Sequence, residues 1–282
     1  MYQFFPKLPG MKANRQLCVI IPVHKPRLSA EEKTSLTACY RHLKTYDCYL
    51  VFPEGMATDQ YTALHPSLIL QPVPALWLSS VLEYNRMKTN VAFYRMFEGY
   101  AFMMTYELDA YIFSADIAAH HGFEYDFIGA PIFEGYMEAT PDAPFLHMLN
   151  SGFSIRNISA CIKALQQLDQ YKLRWKVRKF FYSNFSFLRK IASRQQLGIV
   201  FHDHLKGYYR GGPFNEDVIF TCLVPQLFPF FKTAPLDKAA SFSIETKAAV
   251  LYQQQQNRLP LGCHAWAKFP AFWEKFINVQ AS

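Results

Sequence analysis

Three observations near the start of the chain predict an α/β fold built on a parallel sheet. Leu17-Cys-Val-Ile-Ile-Pro-Val23 is a continuous apolar run rich in β-branched residues, the signature of a strand buried on both faces. Ser29-Ala-Glu-Glu32 then matches a capping box, and Leu36, Cys39, Tyr40 and Leu43 follow at helical spacing. A second apolar run, Cys48 to Phe52, stops at Pro53-Glu-Gly55. Strand, helix and strand in that order open a βαβ unit of the kind that binds nucleotides.

Composition agrees. The chain has 282 residues, 51% hydrophobic and 17% aromatic, enough for one well-filled α/β domain and too apolar for disorder. No stretch approaches the ~18 apolar residues of a membrane span. The first residues lack the basic-then-apolar plan of a signal peptide, so a cytoplasmic location is expected. Six scattered cysteines with no C-x-x-C pair read as reduced core residues rather than a disulfide or zinc framework.

The elements continue with a short strand at Ser67 to Leu70, a helix over Leu76 to Met87, and a second helix capped by Asn90 and reaching Phe97. A strand ends at Glu107, a short helix follows near Ser114 to His121, and Phe127 to Pro131 forms another strand. Phe133 to Leu146 reads as a surface loop, Phe153 to Arg156 as extended chain, and Asn157 as the cap of a helix with the stripe Ile158, Cys161, Ile162, Leu165 and Leu168. Val218 to Leu223 is a further helix.

The net charge of +7 has a local origin: eight basic and no acidic residues lie between Lys172 and Arg194, and the remainder is close to neutral. This segment, about 171–196, interleaves its charges with aromatic residues. As a helix it suits an anionic membrane surface, or single-stranded nucleic acid by stacking, or plain packing with its cations snorkelling to water. A near-neutral globule with one basic segment is not the pattern of a dedicated nucleic-acid binder, which is therefore not the expected partner.

Candidate chemistry gathers where strands end. Glu107-Leu-Asp109 places two carboxylates on one side of an extended chain. They suit a hard divalent cation that also holds phosphate oxygens, and equally a strand-end acid that caps a helix or pairs with a base. Asn150-Ser-Gly152 precedes an extended stretch, its Gly permitting close backbone approach. Glu216 and Asp217 start a helix, where the dipole alone favours acids, although either could serve as a general base. His264 stands between a Gly turn and Trp266. His202-Asp-His204 lacks a third ligand at metal spacing, and His120-His121 ends a helix, where cations are favoured anyway. The P-loop, dinucleotide and serine-hydrolase glycine motifs are missing.

Taken in order, Val19-Ile-Ile-Pro-Val23, Tyr84-Asn-Arg86, Tyr106-Glu-Leu-Asp-Ala110, Phe127-Ile-Gly-Ala-Pro131, Asn150-Ser-Gly-Phe-Ser-Ile-Arg156, Asn215-Glu-Asp-Val218 and Gly262-Cys-His-Ala-Trp266 resemble a bacterial family of glycosyltransferase-like domains. That family was long known only as a domain of unknown function, and it is related to the GT-A-fold nucleotide-sugar glycosyltransferases. The resemblance covers roughly residues 15–275 apart from the basic insertion. It implies a single GT-A-like (Rossmann-like) domain over 1–282, with a mixed, mainly parallel sheet flanked by helices and a basic helical insertion. Residues 15–130 would hold a nucleotide sugar and residues 131–275 would present a glycan or glycolipid acceptor.

The resemblance also implies roles. Asp109, with Glu107 and His264, would hold Mn²⁺ or Mg²⁺ against the diphosphate. Glu107 stands where the family often has Gln. Pro22, Val23 and His24 would lie beside base and ribose, with Asn85 and Arg86 in the donor pocket. Asn150, Ser151 and Gly152 would complete that pocket, in a turn that departs from the family's Gly-Asn-Gly-Gly form. Asp217, with Glu216 beside it, would activate the acceptor if the enzyme inverts. The reading is a metal-dependent glycosyltransferase, peripheral on the inner membrane face if the basic segment binds there. Its rivals are a non-catalytic nucleotide-sugar or glycan-binding module and a sugar nucleotidyltransferase.

Overall fold

The computed structural model describes residues 15–184 and 215–279, with the backbone alone for residues 175–184. The apolar runs become strands β1 (Arg15–Pro22) and β2 (Asp47–Pro53), with α1 (Ala30–Leu43) between them. The capping box is present: Glu32 N–H donates to Ser29 Oγ, and Ser29 N–H donates to the Glu32 carboxylate. Two satisfied amides fix where α1 begins and turn Leu36, Cys39 and Leu43 onto the sheet, where each is fully buried.

After α2 (Asp59–Leu64) and β3 (Ile69–Val73) the chain recrosses through α3 (Val81–Lys88) and α4 (Val91–Arg95) to β4 (Tyr100–Tyr106). The six-stranded sheet has the order β3-β2-β1-β4-β7-β6, with β6 at Phe127–Phe133 and β7 at Phe145–Asn157. β1, β2, β3 and β4 pair in parallel, and β7 runs antiparallel to both its neighbours. The expected mixed, mainly parallel α/β sheet is what forms. Its strand order reverses at β1, which sends β2 and β3 to one side and β4 to the other. That leaves a crevice between the carboxyl ends of β1 and β4, the place where open α/β sheets bind ligands.

A second, three-stranded sheet sets β9 (Gly262–Cys263) between β5 (Tyr111–Ile112) and β8 (Ser243–Ile244). It has its own apolar cluster, which includes Ile244, Trp266 and Trp273. Three strands of two residues each could not persist alone. Packed on Phe133 and the C-terminal aromatic residues, they carry the late His segment to the end of β4.

Several local expectations give way. Leu76 to Met87 is not one helix: a 3-10 turn (Ala75–Leu78) precedes α3, and Ser80 caps α3 by accepting from Glu83 N–H. A side chain that caps wins over continued helical propensity there. Ser114 to His121 forms turns rather than a helix, with Ser114 and Asp116 accepting from amides two and three residues on. The expected loop Phe133 to Leu146 contains a 3-10 turn (Tyr136–Glu138), and β7 starts within it at Phe145. Asn157 caps α5 (Ile158–Asn184) as expected, accepting from Ala160 N–H. The helix runs on into the basic segment as far as Asn184; the rest of that segment and His202-Asp-His204 lie outside the described residues. Val218 to Leu223 is helical, but Ile219–Leu223 is a π-helical stretch. Among the described residues no helix is long and apolar enough to cross a membrane.

Candidate active site

β4 ends at Tyr106, and the chain leaves the sheet at Glu107, whose N–H donates to Gly152 O (2.8 Å) on β7. A tight turn follows, Ala110 N–H donating to Glu107 O, before β5 enters the small sheet. On the facing strand β9 delivers His264, and Trp266 N–H donates to Asp109 O (3.3 Å). Sequence-distant Glu107, Asp109 and His264 therefore meet: one ligand atom from each lies within 4.8 Å of the others.

The imidazole is oriented from behind. His264 Nδ1 donates to Glu245 Oε1 (3.1 Å), which also accepts from Tyr136 OH (3.0 Å). That leaves Nε2 facing Asp109 Oδ1 at 3.0 Å and Glu107 Oε2 at 3.6 Å. Nε2 is buried and, despite that proximity, has no partner with hydrogen-bond geometry. A carboxylate behind one ring nitrogen and an orphaned second nitrogen is the arrangement that metal-binding histidines adopt. Two carboxylates and an imidazole fit a divalent cation such as Mn²⁺ or Mg²⁺, imidazole favouring the transition metal. Burial alone would lower the pKa of His264, but its contacts with Asp109, Glu107 and Glu245 raise it well above the ordinary value. The three acids favour positive charge at this point, either a proton on the ring or a cation that takes its place.

Glu107 is fixed from its other side. Its Oε1 accepts from Tyr84 OH (2.7 Å) and Lys88 Nζ (3.3 Å). Burial opposes its ionised form, yet Lys88, His264 and Tyr84 hold the pKa well below the carboxylate range. Lys88, only 2% exposed, also donates to Ser151 Oγ (2.7 Å) and pairs with Glu216 Oε2 (3.2 Å). Glu216 pairs in turn with Arg156, which is fully buried and donates to Tyr94 OH (3.0 Å). A buried ionic chain thus runs from Arg156 through Glu216 and Lys88 to the edge of the acid cluster.

A cavity of about 500 Å³ opens beside the cluster, in the crevice between the ends of β1 and β4. Pro22, Val23 and His24 line it, together with Lys25, Tyr61, Tyr84, the Ser79-Ser80 turn, Glu107 and Asp109. Asn85 and Arg86, expected in this pocket, do not line it. Asn85 Oδ1 instead accepts from Glu216 N–H (2.6 Å), capping that helix from a distance. The Arg86 side chain is 65% exposed and pairs with Glu83 one turn back. Lys88 is the cation that α3 turns inward, in register with Tyr84 and with its ammonium over that ring (4.6 Å).

Asn150, Ser151 and Gly152 stand behind the cluster rather than in the cavity wall. Asn150 Oδ1 accepts from Gly152 N–H (2.7 Å), which shapes the turn. Glu216, expected near catalysis, is 1% exposed and committed to its two cations, so it holds the site rather than facing it. Asp217 differs. It is half-buried, and burial first and Glu216 second push its pKa up to about 6, with Lys88 opposing. Neither Lys88, Glu245 nor Tyr136 is singled out by sequence reasoning. Lys88 carried a readable signal, a Lys four residues after Tyr84 on an otherwise apolar helix face; Glu245 carried none.

Fold and site together define an α/β domain with a candidate cation site at the carboxyl ends of its parallel strands. The chain belongs to the DUF5672 family of proteins of unknown function, whose profile matches residues 68–264. No curated protein matches the sequence. Among solved structures, mouse xyloside xylosyltransferase 1 in its apo form is 12% identical with a TM-score of 0.48, over 89% of this chain and 97% of that one. The galactosyltransferase LgtC, in complex with donor and acceptor sugar analogues, is 11% identical with a TM-score of 0.44, over 88% and 86%. Core-mannan synthase A from Aspergillus fumigatus, in a Mn/GDP form, is 10% identical with a TM-score of 0.40, over 58% and 66%. These likenesses are remote, and what the site can do is read from its own residues.

Proposed function

We propose that the protein is a metal-dependent glycosyltransferase that moves a sugar from a nucleotide donor to a glycan or glycolipid acceptor. The observation that carries the reading is the convergence of Glu107, Asp109 and the orphaned His264 Nε2, with both carboxylates lining a cavity at the strand-order reversal. Such a crevice suits a nucleotide, and the acid–imidazole cluster suits the cation that a diphosphate requires. Mn²⁺ or Mg²⁺ held there would supply charge neutralisation for the departing nucleoside diphosphate.

The chain's own residues do the rest. Pro22, Val23 and His24, which line the cavity with Tyr61, would lie against base and ribose. Lys88 keeps Glu107 ionised, so that it remains an anionic ligand at neutral pH. Glu245 holds His264 in the tautomer that presents Nε2. Asp217, its pKa raised to about 6, is suited to take the proton of an acceptor hydroxyl, since a base works best when its pKa lies close to the working pH. Asn150, Ser151 and Gly152 serve the donor side indirectly, by fixing Lys88 and leaving room for His264.

The test is incubation of the protein with labelled UDP-, GDP- and TDP-sugars and Mn²⁺. Metal-dependent release of nucleoside diphosphate is expected from at least one donor. Pyrophosphate formed from a sugar phosphate and a nucleoside triphosphate would instead make it a nucleotidyltransferase, and donor binding without turnover a binding module. The basic segment Lys172 to Arg194 is proposed to seat the enzyme on an anionic membrane surface, in keeping with a glycolipid acceptor.

A further inference from the structure

A second cluster of ligand-type side chains lies well inside the core, away from the acid site. Cys39 is on the sheet-facing side of α1, Cys48 is the second residue of β2, and His65 follows directly on α2. All three are 0% exposed. Two Sγ atoms and one imidazole nitrogen lie within 4.8 Å of one another. Zinc bonds of ~2.0–2.3 Å give tetrahedral S···N and S···S edges of about 3.5–3.8 Å, so a closing movement of about 1.3 Å at most separates these atoms from a coordination sphere.

Two features set this trio apart from cysteines that merely fill a core. His65 Nδ1 is within reach of Ser67 Oγ (3.4 Å), whereas Nε2 is buried with no hydrogen-bond partner among the described residues. An orphaned buried polar atom costs about 1–3 kcal/mol, and a bound cation would remove that cost. The Cys48 thiol, for its part, donates to the Leu43 carbonyl (3.5 Å) rather than packing only against apolar atoms.

We propose that Cys39, Cys48 and His65 form a structural site for a divalent cation of the zinc type. Two thiolates and an imidazole are a soft donor set, unlike the oxygen-rich Glu107 cluster, so the two sites select different metals. Charge argues for a divalent ion. Two thiolates with a neutral imidazole carry a charge of about −2, which Zn²⁺ cancels and Cu⁺ would not, and an uncompensated charge is costly in a core. The Leu43 carbonyl, already beside Cys48 Sγ, is at hand for a fourth position. The ion would tie α1, β2 and the end of α2 together. Tyr61, one turn before His65, lines the cavity and donates its OH to Lys25 O (2.5 Å), so the tie would stiffen one cavity wall.

The full chain should be produced in minimal medium with Co²⁺ in place of Zn²⁺, gel-filtered, and examined by absorption and metal analysis. About one retained cobalt per chain is expected, with a thiolate-to-cobalt charge-transfer band and the ligand-field intensity of a near-tetrahedral site. Asp109→Ala should keep both signals, and Cys48→Ser should lose both. A wild-type chain that holds no metal, or holds cobalt without the thiolate band, overturns the proposal, as does a band that survives in Cys48→Ser. The wild-type spectrum decides the matter even if the variant fails to fold, and glycosyl transfer plays no part in it.

Discussion

Gly152 and His264 are in contact so close that no side chain fits between them: a Cβ on Gly152 would lie 2.1 Å from His264 Nε2. The glycine is therefore needed for space at the very atom that faces Asp109 and Glu107. Gly152→Ala should displace the imidazole and weaken Mn²⁺ binding by about ten-fold or more, in the range seen when the support of a metal ligand is lost. Titration of the purified chain with Mn²⁺, followed by paramagnetic resonance of the free ion, would measure it. Unchanged affinity would mean that His264 is not a ligand.

Removal of a ligand should act more strongly. Asp109→Ala takes away the more exposed carboxylate of the pair and leaves the buried network from Lys88 to Arg156 intact. Metal-dependent donor binding and turnover should be lost, while the thermal midpoint stays within a few degrees, as is usual for surface changes. Activity equal to wild type would sink the assignment of this cluster.

Asp217 gives a pH dependence with a definite sign. Its folded-state pKa is raised from 3.8 to about 6, so the base form is lost as pH falls through about 6. Turnover with saturating donor should decline on that acid limb, and Asp217→Asn should keep donor binding while losing transfer. Stability runs the other way. A carboxyl with a raised folded pKa binds protons more tightly in the native state, so the fold gains stability as pH falls from about 6 towards 4. Asp217→Asn should accordingly melt somewhat higher than wild type at pH 7. A lower melting point at pH 7, with transfer intact, would remove Asp217 as the base.

How much of this was legible in the chain can be judged residue by residue. The β1–α1–β2 unit was readable because its signals are local: apolar runs, a capping box, and Pro-Gly punctuation. The Glu107-Leu-Asp109 triplet was readable as a strand end, but not as one arm of a cluster, because its partner lies on β9 far along the chain. Arg86 was expected in the donor pocket because Arg suits phosphate; only the rotation of α3 decides that Lys88 faces in and Arg86 faces out. The two thiols and His65 were unreadable as a group, since metal spacing in sequence is short and theirs is not.

The buried chain of charges supplies the last prediction. Arg156 and Lys88 are 0% and 2% exposed, and both of them pair with the Glu216 carboxylate. Lys88 retains Glu107, but among the described residues Arg156 keeps neutral hydrogen-bond partners alone once Glu216 is gone: Tyr94 OH, Ser154 Oγ and Ser151 O. Breaking a buried pair from one side leaves an uncompensated charge and costs about 3–5 kcal/mol. Glu216→Ala should lower unfolding free energy by about that amount in urea titration. Glu216→Gln, which keeps the shape and removes the charge, should lose a large part of it too. Arg156 and Glu216 replaced together by Met and Leu should recover much of the loss, because the stranded charge is then absent. If Glu216→Ala unfolds at the wild-type urea concentration, the network contributes nothing to the fold.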